Sequence, residues 1–293
     1  MLLSQGSSTL KIWLNTKLVT QQIDNIHAIA SDYDVIVFDQ WGVLHNGTAP
    51  YDGAITAIAN LTMPKAVLSN SGKRAVHNES RITAMGFAKN VFDYVMTSGE
   101  ALWRDIDQKK IAARQFFPIE RAPGDAILWA HGLDITFVSA PQDAEAVLIM
   151  GLPDDTQLEQ WRAQFLIWKS YNLPLYCSNP DRKSPRADRL VISPGSLAFA
   201  YADLGGETTF YGKPHLPVFK ALEKVFGAAR YLMVGDSMEH DIMGANTAGW
   251  DSLLVQGGLY ANRFANANSD EVIAKIAAET NCEMPTYSIK GLR

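Results

Sequence analysis

Cysteine is nearly absent. Cys177 and Cys282 are the only two in 293 residues, too few to build a thiolate metal site or a disulfide framework. The pair reads as reduced thiols of a cytosolic protein. Positive charge is in short supply as well: 26 Lys and Arg against 31 Asp and Glu leave a net charge of −5. Without a basic block there is no electrostatic footprint for nucleic acid or an anionic membrane surface. No apolar run approaches the length of a membrane span. Met1 to Gln21 holds Leu2, Leu3, Ile12, Trp13 and Leu14, but polar residues interrupt them and the basic start of a signal peptide is missing. Internal repeats, low-complexity tracts, zinc-type Cys/His spacing, a Ser–His–Asp grouping and a glycine-rich dinucleotide loop are all lacking. These absences lead to the expectation of a soluble, cytoplasmic protein that binds neither nucleic acid nor membrane.

What is present is apolar material in alternating blocks: 47% of residues are hydrophobic and 19% charged, enough for one large or two ordinary domains. Val35 to Phe38, Ala66 to Leu68, Ala126 to Trp129, Ala146 to Met150, Tyr231 to Val234 and Leu253 to Val255 read as buried strands. Between them, Asp155 to Tyr171 carries Leu158, Trp161, Phe165 and Trp168 on one helical face. Leu216 to Phe226 does the same with Phe219, Leu222, Val225 and Phe226. Strands alternating with helices predict an α/β fold with a doubly wound, mostly parallel sheet, whose ligand sits beyond the carboxyl ends of the strands.

The polar residues at those strand ends form two groups far apart in the chain. Asp39-Gln40-Trp41-Gly42 follows the first strand, where an Asp serves equally as a ligand-edge carboxylate or a turn cap. Ser69-Asn70-Ser71-Gly72 follows the second; its hydroxyl, amide and backbone N–H groups suit an anion, and equally an ordinary helix N-cap. Lys213-Pro214 stands ahead of a helix, and Gly235-Asp236 ends a strand with Asp241 close behind. Two carboxylates that converge in this way suit a hard divalent cation. The stretch between the groups has strands and helices of its own without such chemistry. This predicts a core of residues 1–97 and 198–293, with 98–197 an inserted α/β domain. Most of the seven tryptophans are read as core, with one lining a pocket as the second reading.

The order of these groups resembles the motifs of the haloacid-dehalogenase superfamily. Gly53-Ala54, Ser69-Asn70, Ser178-Asn179-Pro180-Asp181-Arg182, Pro194-Gly195-Ser196 and Gly235-Asp236 through Gly249 resemble its class IIA branch. That branch includes sugar-phosphate, nucleotide and p-nitrophenyl-phosphate phosphatases. The resemblance implies a Rossmann-like core with an inserted cap, and hydrolysis of small phosphorylated metabolites through an aspartyl-phosphate. Asp39 would be the nucleophile. Mg²⁺ would be held by Asp39, the main-chain oxygen of Trp41 and Asp236, with Asp241 close by. Ser69, Asn70 and Lys213 would hold the phosphoryl oxygens, and Asn179, Asp181 and Arg182 would belong to the cap's specificity loop. Cap-mediated homodimers occur in the family; the sequence leaves oligomeric state open.

One position departs from the pattern. Phosphatases of the superfamily carry a second Asp two residues after the nucleophile, as general acid and base. Here that residue is Trp41, whose indole donates a hydrogen bond but shuttles no proton. Loss of such a group costs about 10²–10⁴ in rate. Three readings stay open: a slow phosphatase, or one that recruits another acid such as His45; a dehalogenase-type hydrolase; and a weakened enzyme serving as a phosphometabolite sensor.

Overall fold

The computed structural model describes residues 19–185 and 189–292. Of the leader-like stretch Met1 to Gln21, all but the last three residues lie outside the described residues. Seven strands form one parallel sheet in the order 21–22, 287–289, 251–255, 231–235, 35–38, 65–69 and 94–97. The strand Val35–Phe38 shows why both faces are covered. Successive side chains point to opposite faces, so Val35 and Val37 enter one hydrophobic core and Ile36 and Phe38 the other. All four are buried.

A second parallel sheet runs in the order 208–210, 175–177, 146–149, 115–119 and 136–137. A short antiparallel hairpin, Lys183–Pro185 with Leu190–Ile192, stands beside it. This doubly wound α/β architecture is the one expected from the alternating blocks. The strands of the second sheet fall between residues 115 and 210, later at both ends than the expected insertion 98–197. Helix Ser98–Asp107 buries Ala101, Leu102 and Ile106 in the core shared with the first sheet and with helix Leu216–Phe226. Strand Thr208–Phe210 pairs instead with Leu175–Cys177.

Ala126 to Trp129 is not a strand. It lies in helix Asp125–Trp129, which buries Ala126 and Trp129 and leaves Ile127 and Leu128 exposed. A short apolar run has the same appearance in either state. The decision is made just upstream, where Gly124 takes a positive φ of 93° and the Glu120 carboxylate accepts the N–H groups of Gly124 and Ala126 at 3.1 and 2.8 Å. The strand of that sheet is Gln115–Ile119.

The helical face read over 155–171 is a packing face, although the helix proper is Arg162–Ser170 with a 3₁₀ turn at Leu158–Trp161 before it. Trp168 is wholly buried, its ring 5.5 to 6.3 Å from those of Phe165, Tyr201, Trp161 and Phe117. Truncation of a buried aromatic loses its transfer free energy and leaves a cavity. Trp168→Ala is therefore expected to cost about 3–5 kcal/mol, read as a lowered urea midpoint of unfolding.

Candidate active site

The parallel register brings the strand ends together. Val234 is the Cα partner of Phe38, and the Asp39 N–H donates to the Val234 carbonyl at 2.9 Å, so Asp39 and Asp236 leave the sheet side by side. Ser69 ends the neighbouring strand. Asp241 reaches the same point through a wide turn of π-helical form, Met238–Ile242. That turn folds back tightly enough that a Cβ on Gly235 would lie 2.1 Å from the Cβ of Asp241. Gly42, with φ of 86°, passes so close to Asp236 that its missing Cβ would fall 1.7 Å from Oδ2. Glycine is required at both positions for the carboxylates to converge.

Lys213 stands at the centre. Its ammonium donates to Asp39 Oδ1 and to Asp241 Oδ1, both at 2.7 Å. The other oxygen of Asp241 accepts the N–H groups of Asp236 and Ser237 at 3.1 and 3.0 Å. Asp241 is thus fully occupied in holding Lys213 and its own turn. Asp236 Oδ2 accepts the Leu259 N–H at 2.7 Å. The glycine pair before Leu259, at the end of strand Asp251–Val255, was a readable strand-end signal that the sequence reading did not use.

Oxygens of Asp39, Asp236 and Asp241 lie within 4.8 Å of one another. Three carboxylates against one ammonium leave an excess of negative charge, and the carboxyls respond. Burial, then the neighbouring Asp39 and Asp241, pushes Asp236 up to about 8. Burial also raises Asp39 to about 6, even though the Lys213 ammonium pulls it down. Burial alone would lower Lys213, but Asp241 and Asp39 outweigh it and hold the lysine charged. An all-oxygen donor set with unbalanced negative charge fits a hard divalent cation. Asp39 and Asp236 are the groups able to face it.

The other expected site residues are placed less simply. The Asn70 side chain clasps the Lys213 main chain, accepting its N–H at 2.6 Å and donating to its carbonyl at 3.1 Å. The second amide hydrogen goes to Asp181 Oδ1 at 2.8 Å. Both are spent, so Asn70 here positions Lys213 and the cap loop and has no hydrogen left for a phosphoryl oxygen. Ser69 Oγ accepts the Ser71 N–H at 3.3 Å. Asn179 accepts the Asp181 N–H at 2.9 Å, shaping the cap loop. Arg182 turns away, its guanidinium 3.9 Å over the Phe199 ring. Trp41 is 47% exposed beside the site.

His45 is buried, accepts the Gly47 N–H on Nδ1 at 3.1 Å, and is pushed down to about 4 by burial and by Arg81. It holds its loop as a neutral ring. Both cysteines are free thiols, each pushed up to about 12 by burial.

The structure also holds a cavity of about 540 Å³ whose lining includes Gly72 and Asn179, each two residues from a partner in the Asn70–Asp181 hydrogen bond. Lys73, Arg121, Leu128 and Trp129 line it as well.

Known proteins resemble this chain in sequence and in fold. A family model described as haloacid dehalogenase-like hydrolase matches residues 36–133, and one described as HAD-hydrolase-like matches residues 210–278. A haloacid dehalogenase-like hydrolase from Brucella suis 1330 superposes with a TM-score of 0.74 at 28% identity, covering 92% of this chain and 100% of that one. The chain is 24% identical to the D-glycerol 3-phosphate phosphatase of Mycobacterium tuberculosis (strain ATCC 25618 / H37Rv) over 79% of its own length, and spans 65% of that relative's length. A glycerol phosphate phosphatase structure from Mycobacterium tuberculosis in complex with magnesium superposes with a TM-score of 0.68 at 22% identity. It covers 89% of this chain and 76% of that one. The fold is that of the haloacid dehalogenase-like hydrolases.

The raised carboxyls carry a pH dependence. In the metal-free protein Asp236 binds its proton more tightly when folded than when unfolded. Its contribution to stability is therefore complete below its ordinary value of 3.8 and lost as pH rises through about 8. Thermal unfolding of metal-free protein should show a midpoint that falls over this window. A divalent cation should raise the midpoint more at about pH 8 than at about pH 5, because at low pH it must displace protons. A cation effect independent of pH would contradict this.

Proposed function

We propose that this chain, a haloacid dehalogenase-like hydrolase by fold and by family match on both sides of its insertion, is a magnesium-dependent phosphatase of small phosphorylated metabolites. The observation that carries the reading is the buried Asp39–Lys213–Asp241 bridge with Asp236 beside it. It supplies a carboxylate nucleophile, a fixed cation and an oxygen-rich seat for Mg²⁺ at one strand edge. The phosphatase and magnesium named for the relatives point the same way.

Mg²⁺, held by Asp39, Asp236 and the main-chain oxygen of Trp41, would offset repulsion between two anions and stabilise charge in the transition state. Asp39 attacks phosphorus while Lys213, a poor proton donor at its raised pKa, contributes positive charge. Asp241 keeps the ammonium aimed. The resulting aspartyl-phosphate is then hydrolysed by water. With Trp41 in place of the second Asp, the leaving oxygen departs without a proton from that position. Substrates whose leaving groups are stable as anions are favoured.

This preference is measurable. With Mg²⁺ present, kcat/KM for aryl or acyl phosphates should exceed that for alkyl esters. Trp41→Asp should raise the alkyl value by about 10²-fold and the aryl value much less. Asp39→Asn should abolish turnover, and so should a chelator. Undiminished turnover by Asp39→Asn would sink the mechanism. No turnover of any ester, with ligand binding kept, would favour a phosphometabolite sensor.

A further inference from the structure

We propose that the leaving portion of the substrate carries a second anionic group, a carboxylate or another phosphate, received by Lys73 and Arg121 in the cavity between core and cap. The proposal deepens the phosphatase reading and rests on it for the reacting end of the molecule. Gly72 and Asn179 line the cavity. Each is two residues from a partner in the Asn70–Asp181 hydrogen bond, which in turn touches Lys213. A phosphoryl group at Asp39 therefore directs the rest of its molecule towards this space. At about 540 Å³ it is within the range that encloses a drug-sized ligand and is far larger than a three-carbon alcohol needs.

The charges lining the cavity are not interchangeable. Arg74 is committed: its Nε donates to Glu100 at 2.6 Å and its guanidinium lies 3.8 Å over the Trp103 ring. The one lining carboxylate among the described residues, Asp125, is turned into its own helix start, accepting the Ala122 N–H at 3.1 Å. Lys73 is exposed and has no carboxylate partner among the described residues. Arg121 pairs with Asp154 at 3.0 Å, with 56% of its side chain exposed. Solvent-exposed pairs of this kind are weak, so a ligand anion can compete for the guanidinium. In a chain of net charge −5, this is a cavity with cations to spare and an anion as its complement. Leu128, 77% exposed yet part of the cavity wall, and the buried Trp129 present apolar surface between the two ends. That surface suits a flat organic body.

A matched aryl series separates charge from size and from leaving-group chemistry. The full-length protein with Mg²⁺ is assayed on 4-carboxyphenyl phosphate, its neutral methyl ester and 1,4-phenylene bisphosphate. The expectation is a kcat/KM about tenfold higher for the anionic compounds than for the ester, and the two anions tell carboxylate from phosphate preference. Lys73→Ala and Arg121→Ala should each bring that ratio towards one, and Lys73→Arg should restore it. An ester handled as well as the anions, or a preference that survives both alanine variants, overturns the proposal. Calorimetric titration of the same compounds onto Asp39→Asn needs no turnover. If wild type hydrolyses none of them but this variant binds the anions about tenfold tighter than the ester, the subsite stands and the phosphatase reading falls. Equal binding removes the subsite whatever the turnover.

Discussion

The Lys213 ammonium, shared between Asp39 and Asp241, is the interaction on which the rest of the site depends. It is buried among carboxylates that burial would otherwise force to take up protons. A buried ammonium of this kind is tolerable only where it is paired and hydrogen-bonded. The protein supplies its partners from several elements at once. Asn70 grips the lysine main chain by both its N–H and its carbonyl, the turn after Gly235 presents Asp241, and the first long strand presents Asp39. Lys213 also comes three residues after strand Thr208–Phe210 of the second sheet. The residue that offsets part of the carboxylate charge therefore arrives on the chain returning from the second sheet, and the charge of the site is tied to how that sheet's loops dock.

That docking relies on missing side chains. A Cβ on Gly212 would sit 2.3 Å from the Pro180 ring, and one on Gly195 would sit 2.0 Å from the Pro180 carbonyl. A Cβ on Gly72 would meet Ser178 Oγ at 2.7 Å. The loop Ser178–Asp181 is thus seated on bare backbone at three points, with the Asn70–Asp181 hydrogen bond at its tip. The packing places the cap loop over Lys213 and leaves the open volume beside it, along Lys73 and Trp129.

The strand-end chemistry was legible because a carboxylate directly after an apolar run has few structural reasons to be there. Asp39 and Asp236 directly follow apolar strands, Asp241 and Lys213 joined them through the order of the motifs they resemble, and the structure brings the four together. What was not legible depended on alternatives of equal appearance. Ala126 to Trp129 reads as a strand or a helix until Glu120 is seen capping it. Strands Gln115–Ile119 and Thr208–Phe210 contain too few apolar residues, or a proline, to be recognised. Asn70 and Arg182 carry donors suited to an anion, yet one is consumed by Lys213 and Asp181 and the other stacks on Phe199. Sequence gives the type of a donor but not which of its hydrogens are already spent. Lys73 and Arg121, from distant segments, line one cavity only in the folded chain.

Trp41 is best understood through the same charge balance. An Asp there would have added a fourth carboxylate to a pocket where Asp236 is already driven up to about 8. With Trp the pocket holds three carboxylates and one ammonium, so −3 and +1 give −2, and one divalent cation brings it to neutrality before any phosphate enters. On the proposed phosphatase reading, an incoming phosphoryl dianion would then meet no surplus negative charge, which would favour its binding and the attack of Asp39. On the same reading the replacement leaves no group at this position to hand a proton to the leaving oxygen. The two consequences would pull in opposite directions on turnover but in the same direction on selectivity. Such a pocket would retain anions well and process best those whose leaving groups need no proton.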